Sequence, residues 1–318
     1  MTETDVLGAP YTRETLELPD DYEGAVVATL VHRRAEQPST RGAVLHVHGF
    51  CDYFFQTAMA DFYTGLGFDF YALDLRKYGR SLLAHQTPNF CLALDEYYPE
   101  LDAAAEAITR RDGHQQLVVS GHSTGGLIAP LWAATRAAEG ARVADAFVLN
   151  SPWLDLQGSF FVRTAGTEAI NRFGLRRPYA TVPRNVSSVY AESLHMDLRG
   201  EWSFDLAWKP VESFPVRAGW LRAVRLGHRT VHRGIDVTVP VLSLCSTRSI
   251  VTQEWTDEAT SVDTVLDVNQ IAKWSHRLAR HVTILRVEGA MHDVFLSRKR
   301  VREGAFEQVE RWLGYALP

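Results

Sequence analysis

QLVVSGHSTGGLIAPLW, residues 116–132, places three structural signals end to end. Leu117 to Ser120 is an apolar run without polar alternates, the pattern of a strand covered on both faces. Leu127, Ile128, Leu131 and Trp132 then recur at helical spacing. Between them Gly121-His122-Ser123-Thr124-Gly125 fits G-x-S-x-G, which in a strand-turn-helix setting lifts a serine onto a sharp, strained turn. Residues without a Cβ let the strand and helix approach closely enough to leave the Ser123 hydroxyl exposed. Pro130 falls inside the helical segment and removes a donor, predicting a kink or a tight first turn there.

Outward from this turn, short segments rich in Val, Leu, Ile or Phe recur at Gly24–His32, Gly42–His48, Phe68–Asp74, Asp145–Asn150, Val239–Cys245 and Val282–Glu288. A second helical stripe runs through Val268, Ile271, Ala272, Ser275, Leu278 and Ala279. The alternation of strand and helix predicts an α/β fold with a doubly wound, mostly parallel sheet. From about Pro152 to Ile235 the rhythm stops. Trp153, Phe160, Phe161, Trp202, Phe204, Trp208 and Trp220 are interspersed there with Pro178, Pro183, Pro210 and Pro215. We expect a first core part over 1–151, an inserted, mainly helical cap over 152–236 and a second core part over 237–318. Cap aromatics Trp153, Trp202 and Trp220 are candidates for lining an apolar substrate pocket, against the alternative of a small core of their own.

The chain has 318 residues, with 33 Lys+Arg against 38 Asp+Glu and a formal net charge of −5. No basic arm is present to attract nucleic acid, and that role is not expected. Residues 1–21 lack the cationic and apolar regions of a secretory signal, and no apolar run reaches the roughly 20 residues a membrane helix needs. The expectation is a cytoplasmic protein without stable membrane insertion. Cys51, Cys91 and Cys245 are odd in number and widely spaced, as befits small buried apolar residues.

A serine hydroxyl is a poor nucleophile at neutral pH and needs a base with a carboxylate to orient it. His292 follows the last expected strand and precedes the terminal helix, at the sheet edge where Ser123 would sit. His122, adjacent to the serine on a sharp turn, is expected to point elsewhere. His46 and His48 form an H-x-H without the aspartate that would complete a metal-binding spacing, so no metal is expected. His48-Gly49-Phe50 ends the second expected strand beside the turn. The backbone amides of Phe50 and Thr124 are therefore the expected oxyanion donors.

VLHVHGF, LDLRKYGRS, VVSGHSTGG, LNSPW and VEGAMHD together resemble the alpha/beta-hydrolase superfamily, within it the monoglyceride-lipase and lysophospholipase-like group also described as serine aminopeptidase S33. The resemblance spans Arg41 to Ser151 and Val239 to Leu313 and implies the fold, the cap and a Ser-Asp-His triad, without a substrate. It also implies that Asp74 and Arg76 belong to a structural, ion-paired strand exit. The acid does not stand where the family usually places it, directly after PVLSLC. Asp263-Thr264-Val265-Leu266-Asp267 resembles the family's D-x-[VI]-[VL]-D pattern, in which the first aspartate is the acid and the second starts a helix. Asp263 is the favoured acid, Asp267 the helix N-cap, and Asp267 and Asp155 the alternatives. Ser246 to Val262 then reads as an inserted excursion.

The reading is a serine carboxylic-ester hydrolase working on lipophilic, small-molecule acyl esters through an acyl-enzyme, with Ser123, Asp263 and His292 as its triad and no cofactor. The alternatives are an aminopeptidase or amidase with the same triad, needing an acid such as Glu192, Glu201 or Asp155 for the substrate amine, and a non-catalytic ligand-binding protein. Acyl chain length, alcohol and oligomeric state are open. Arg222, Arg225, Arg229 and Arg233 read as a solvated helix face, with an anion receptor as the alternative.

Overall fold

In a computed structural model of the protein, residues 2–36, 41–157, 160–182 and 187–317 are described, with the side chains of 160–165 excepted. Phe160 and Phe161, as side chains, and Pro183 thus lie outside the described residues. The strands are β1 (Glu3–Thr4), β2 (Thr12–Glu17), β3 (Val27–Arg33), β4 (Ala43–Val47), β5 (Asp69–Asp74), β6 (Leu117–His122), β7 (Ala146–Asn150), β8 (Val241–Ser246) and β9 (Val282–Val287). They form one sheet in the order β1-β2-β3-β5-β4-β6-β7-β8-β9. From β5 to β9 neighbouring strands are parallel. An antiparallel β1-β2-β3 ribbon extends one edge. The polar strands β1 and β2 escaped the sequence reading because neither carries an apolar run.

Alternation along each central strand feeds two cores. Leu45, Val47, Val119 and Leu149 face one side, where they pack with helices α2 (Tyr98–Glu106), α3 (Gly125–Ala138), α6 (Ala218–Arg233) and α7 (Val268–Ser275). Val44, Val118, Val148 and Leu242 face the other, against α1 (Thr57–Gly65) and α8 (Lys299–Ala316). Side chains two apart share a face, so a strand buried on both sides has no polar alternate, which explains runs such as AFVLN. Trp132 of α3 is fully buried, and its truncation to Ala would cost about 3–5 kcal/mol. Helix α3 runs from Gly125 to Ala138 with Pro130 inside it, and in its first turn the Thr124 carbonyl accepts from the amides of both Leu127 and Ile128.

Strand order places β4 in the middle, with β5 on one side and β6 on the other. The chain therefore leaves the carboxyl ends of β4 and β6 in opposite directions, opening a crevice between their exit loops. Both the His48-Gly49-Phe50 loop and the Ser123 turn lie at this switch point.

Between β7 and β8 the described residues add α4 (Phe160–Arg176), α5 (Val189–Leu194) and α6. The four arginines of α6 do not share one solvated face. Arg229 and Arg233 are exposed and Arg222 is half-buried, but Arg225 is buried, with Nη1 2.8 Å from Asp155 Oδ1 and Nε donating to Thr167. The 3.6-residue period turns Arg225 towards α4 and the segment after β7, and a buried guanidinium requires a carboxylate partner. At the β5 exit Asp74 and Arg76 are both ion-paired, each with its own partner: Arg76 forks onto Glu100 of α2, whereas Asp74 accepts from Arg80 and from the Phe54 amide. Strand β5 ends at Asp74 and Arg76 lies in the turn beyond it, so the two side chains leave the backbone from different local conformations.

Candidate active site

Ser123 sits between β6 and α3 at φ 51°, in the left-handed region. A non-glycine residue holds that conformation only where its surroundings over-determine it. Its amide donates to the Asn150 carbonyl and its carbonyl accepts from the Trp153 amide, at 3.0 and 2.9 Å. A Cβ on Gly125 would meet the carbonyl oxygens of Val47 and His48, and one on Gly121 would lie 2.8 Å from the Gly125 carbonyl. Glycine at these two positions is what lets α3 start against the end of β4.

Asp263 Oδ2 lies 2.9 Å from His292 Nδ1, and both side chains are buried. Asp263 Oδ1 accepts from the amides of Val265 and Leu266, fixing the carboxylate's direction. The segment after β8 leaves the sheet and returns: the Asp263 amide donates to the Arg248 carbonyl, and the Ile250 amide donates to the Asp263 carbonyl. That pairing carries Asp263 across the intervening residues to the strand end. Asp267 instead caps α7, accepting from the Asn269 amide at 3.0 Å. Asp155 is engaged by Arg225 and by Trp274 Nε1.

Ser123 and His292 line one cavity of about 300 Å³, together with Phe50 and Thr124. Thr124 is the N-cap of α3, so its amide belongs to the helix end that has no intrahelical acceptor. The apolar wall is aromatic: Phe50 packs against Trp220 with the rings tilted and their centroids 4.1 Å apart, and Trp153 follows at 5.8 Å from Trp220. Trp202 is not part of this wall. Its Nε1 donates to the Leu296 carbonyl, and the Arg302 guanidinium lies over its ring.

His122 does not point away from the site. It lines the cavity, with its ring centroid 5.0 Å from that of His292 and its Nδ1 3.3 Å from Asp52 Oδ2. Burial disfavours its imidazolium, but the carboxylates of Asp293 and Asp52 outweigh burial and hold it above the ordinary histidine value. Asp52 Oδ1 meets Lys209 Nζ at 2.9 Å. Burial works against the Asp52 charge, yet Lys209 and His122 keep its carboxyl far below the usual carboxylate range. This Lys209–Asp52–His122 chain was missed in the sequence. Only the position of Asp52, four residues past His48 on the loop beside the turn, could have pointed to it.

The loop of His292 is clamped by Asn150, whose Nδ2 donates to Asp293 Oδ1 at 2.6 Å and whose Oδ1 accepts from the Val294 amide. Tyr190 of α5 meets the His292 ring edge-on at 5.3 Å. The H-x-H histidines have other employment: His48 Nε2 accepts from the Leu75 amide, and His46 is sealed beneath the site, where burial pushes it down to about 3. Among the described residues no cluster of three or more His, Cys, Asp or Glu could hold a metal.

A mostly parallel, nine-stranded sheet with a serine on the strained turn after its β6 strand and a histidine on the loop after its last strand defines an alpha/beta hydrolase. The chain belongs to the serine aminopeptidase S33 family, whose model matches residues 38–298. Among solved structures it is similar to a soluble variant of monoglyceride lipase from Saccharomyces cerevisiae in complex with a substrate analog (15% identity, 96% of each chain, TM-score 0.67). It is also similar to Paleococcus ferrophilus monoacylglycerol lipase (19%, 89% of this chain and 98% of that one, 0.65). A third such structure is a thermostable carboxyl esterase from Bacillus coagulans in complex with glycerol (14%, 96% and 99%, 0.66). No curated protein matches the chain in sequence.

Proposed function

We propose that the protein is a serine carboxylic-ester hydrolase acting on lipophilic acyl esters, with residues 152–236 as its cap. Ser123 attacks the ester carbonyl, and His292 takes its proton and returns it to the leaving alcohol. Asp263 holds the imidazole, and the Phe50 and Thr124 amides receive the oxyanion. Water then deacylates Ser123 through the same histidine. The observation that carries this reading is the 2.9 Å contact of His292 Nδ1 with Asp263, on a histidine that shares its cavity with the strained Ser123. The wall of Phe50, Trp153 and Trp220 suits an apolar acyl group of moderate size. The monoglyceride lipases and the esterase it resembles in fold act in the same sense. Among the described residues no helix is long and apolar enough to cross a membrane, and we place the activity in the cytoplasm.

Aminopeptidase action would need a carboxylate free to hold a substrate amine. Asp52 is the one carboxylate among the described cavity-lining residues, and Lys209 already neutralises it. Asp155 is paired with Arg225, Glu201 with Arg302, and Glu192 accepts from Ser188. A fluorophosphonate probe tests the reading: the wild type is expected to be labelled at Ser123, and a folded, unlabelled protein would return it to a ligand-binding role. Comparing a nitrophenyl acyl ester with an aminoacyl anilide of similar size tests the bond. A strong preference for the anilide would overturn the ester assignment.

A further inference from the structure

The turn after β4 continues from Phe50 into Cys51, which stands at φ 49° without being a glycine. Like Ser123, it needs neighbours that leave it no alternative. One of them, Lys209, comes from far along the chain. The Lys209 ammonium donates to the Cys51 carbonyl at 3.4 Å and to Asp52 Oδ1 at 2.9 Å. On the far side, Asp52 Oδ2 meets His122, the residue before Ser123. One ammonium from the cap therefore joins the oxyanion turn to the serine turn.

Lys209 is itself held in place. The Asp205 amide donates to the Tyr53 hydroxyl at 2.6 Å, Trp208 packs edge-on against Tyr53, and the Lys209 amide donates to the Asp205 carbonyl. Its ammonium lies 5.7 to 5.8 Å from the rings of Phe55, Tyr190 and Phe204, and the side chain is almost fully buried. A buried ion pair adds little to stability over an apolar pair of similar volume, because desolvating two charges offsets their attraction. What this pair supplies is direction, because it fixes the carbonyl of Cys51 and the carboxylate of Asp52 together.

We propose that Lys209 is a positioning residue for catalysis, a part of the cap that sets the shape of the Gly49–Asp52 turn and so aims the Phe50 amide at the oxyanion. The inference rests on the assignment of Ser123 and Phe50 above. It implies that the 205–211 segment stays docked on residues 51–55 during turnover, and that substrate enters elsewhere along the cap.

Lys209→Met keeps the stem and removes the charge. Its kcat on a nitrophenyl ester is expected to fall roughly 10- to 100-fold with KM changed less than threefold, and its fluorophosphonate labelling to slow in proportion, since the phosphonyl oxygen occupies the same hole. Asp52→Asn, which keeps the side chain's shape and opens no gap at Lys209, is expected to lower kcat in the same direction. The double variant Lys209→Met/Asp52→Asn separates aiming from charge balance. If Lys209 only neutralised Asp52, the double variant would regain wild-type kcat, and that overturns the proposal. A rise in KM at unchanged kcat, the mark of a direct substrate contact, overturns it, as does kcat within threefold of wild type in both single variants. A wild type that is not labelled at all would overturn the Ser123 assignment together with this one. Equal labelling of wild type and Lys209→Met would sink this one alone.

Discussion

Asp263 and His292 lie 29 residues apart in sequence and meet at 2.9 Å through Oδ2 and Nδ1. The contact forms because the excursion after β8 closes on itself through the Asp263 pairing with Arg248 and Ile250. Four residues on, the Asp267 carboxylate makes a different kind of bond, accepting from the Asn269 amide in the first turn of α7. Asp263→Asn is expected to keep the imidazole's neighbour but spoil its tautomer, lowering kcat by up to about 10^4-fold. Asp267→Asn is expected to cost little, since asparagine caps helices as well as aspartate. Steady-state kinetics of the two variants check this, and the reverse ranking would reassign the acid.

Ser123→Ala is expected to lose turnover on the order of 10^4-fold while remaining folded. Ser123→Gly should be equally inactive yet more stable than wild type by about 1 kcal/mol, because glycine relieves the left-handed φ. Urea unfolding of the two variants reads the difference. Residual activity within tenfold of wild type would remove Ser123 as nucleophile.

Trp220 and Trp202 separate pocket from scaffold. Trp220→Leu widens the aromatic wall beside Phe50 and is expected to change the ratio of kcat/KM between bulky acyl and acetyl esters by roughly tenfold or more. Trp202→Leu, away from the cavity, should leave that ratio unchanged while lowering Tm. Equal ratios in both variants would move Trp220 out of the pocket.

His46 makes stability depend on pH. Burial pushes it down to about 3, below its unfolded value of about 6.5, so between these two values the unfolded chain binds the proton. The stability it contributes is present above about 6.5 and is lost as pH falls towards 3. From pH 7 to pH 5 the loss amounts to about 2 kcal/mol from this one group. His46→Leu should flatten the acid limb of the unfolding free energy by that amount, measured by urea denaturation at both pH values. An unchanged slope would mean that His46 takes up its proton in the folded protein.

What the sequence determined by itself is what short stretches of backbone enforce. The apolar runs LVVS and AFVLN give strands buried on both faces, G-H-S-T-G gives the strained turn before α3, and Asp267 gives a helix cap, because each is a matter of residues within a few positions of one another. Strand β9 and the helix after His292 were legible for the same reason. Partners across long separations were decided only by the tertiary structure. Arg225 reads as one arginine among four until α6 is packed and Asp155 lies beneath it. His122 faces the cavity because the adjacent loop brings Asp52 to it, and Lys209 finds Asp52 across 157 residues. Local periodicity carries no information about such pairs. Their physical cause is the cost of burying a charge, which can be met only by whichever opposite charge the strand order and the packing of distant segments bring within reach.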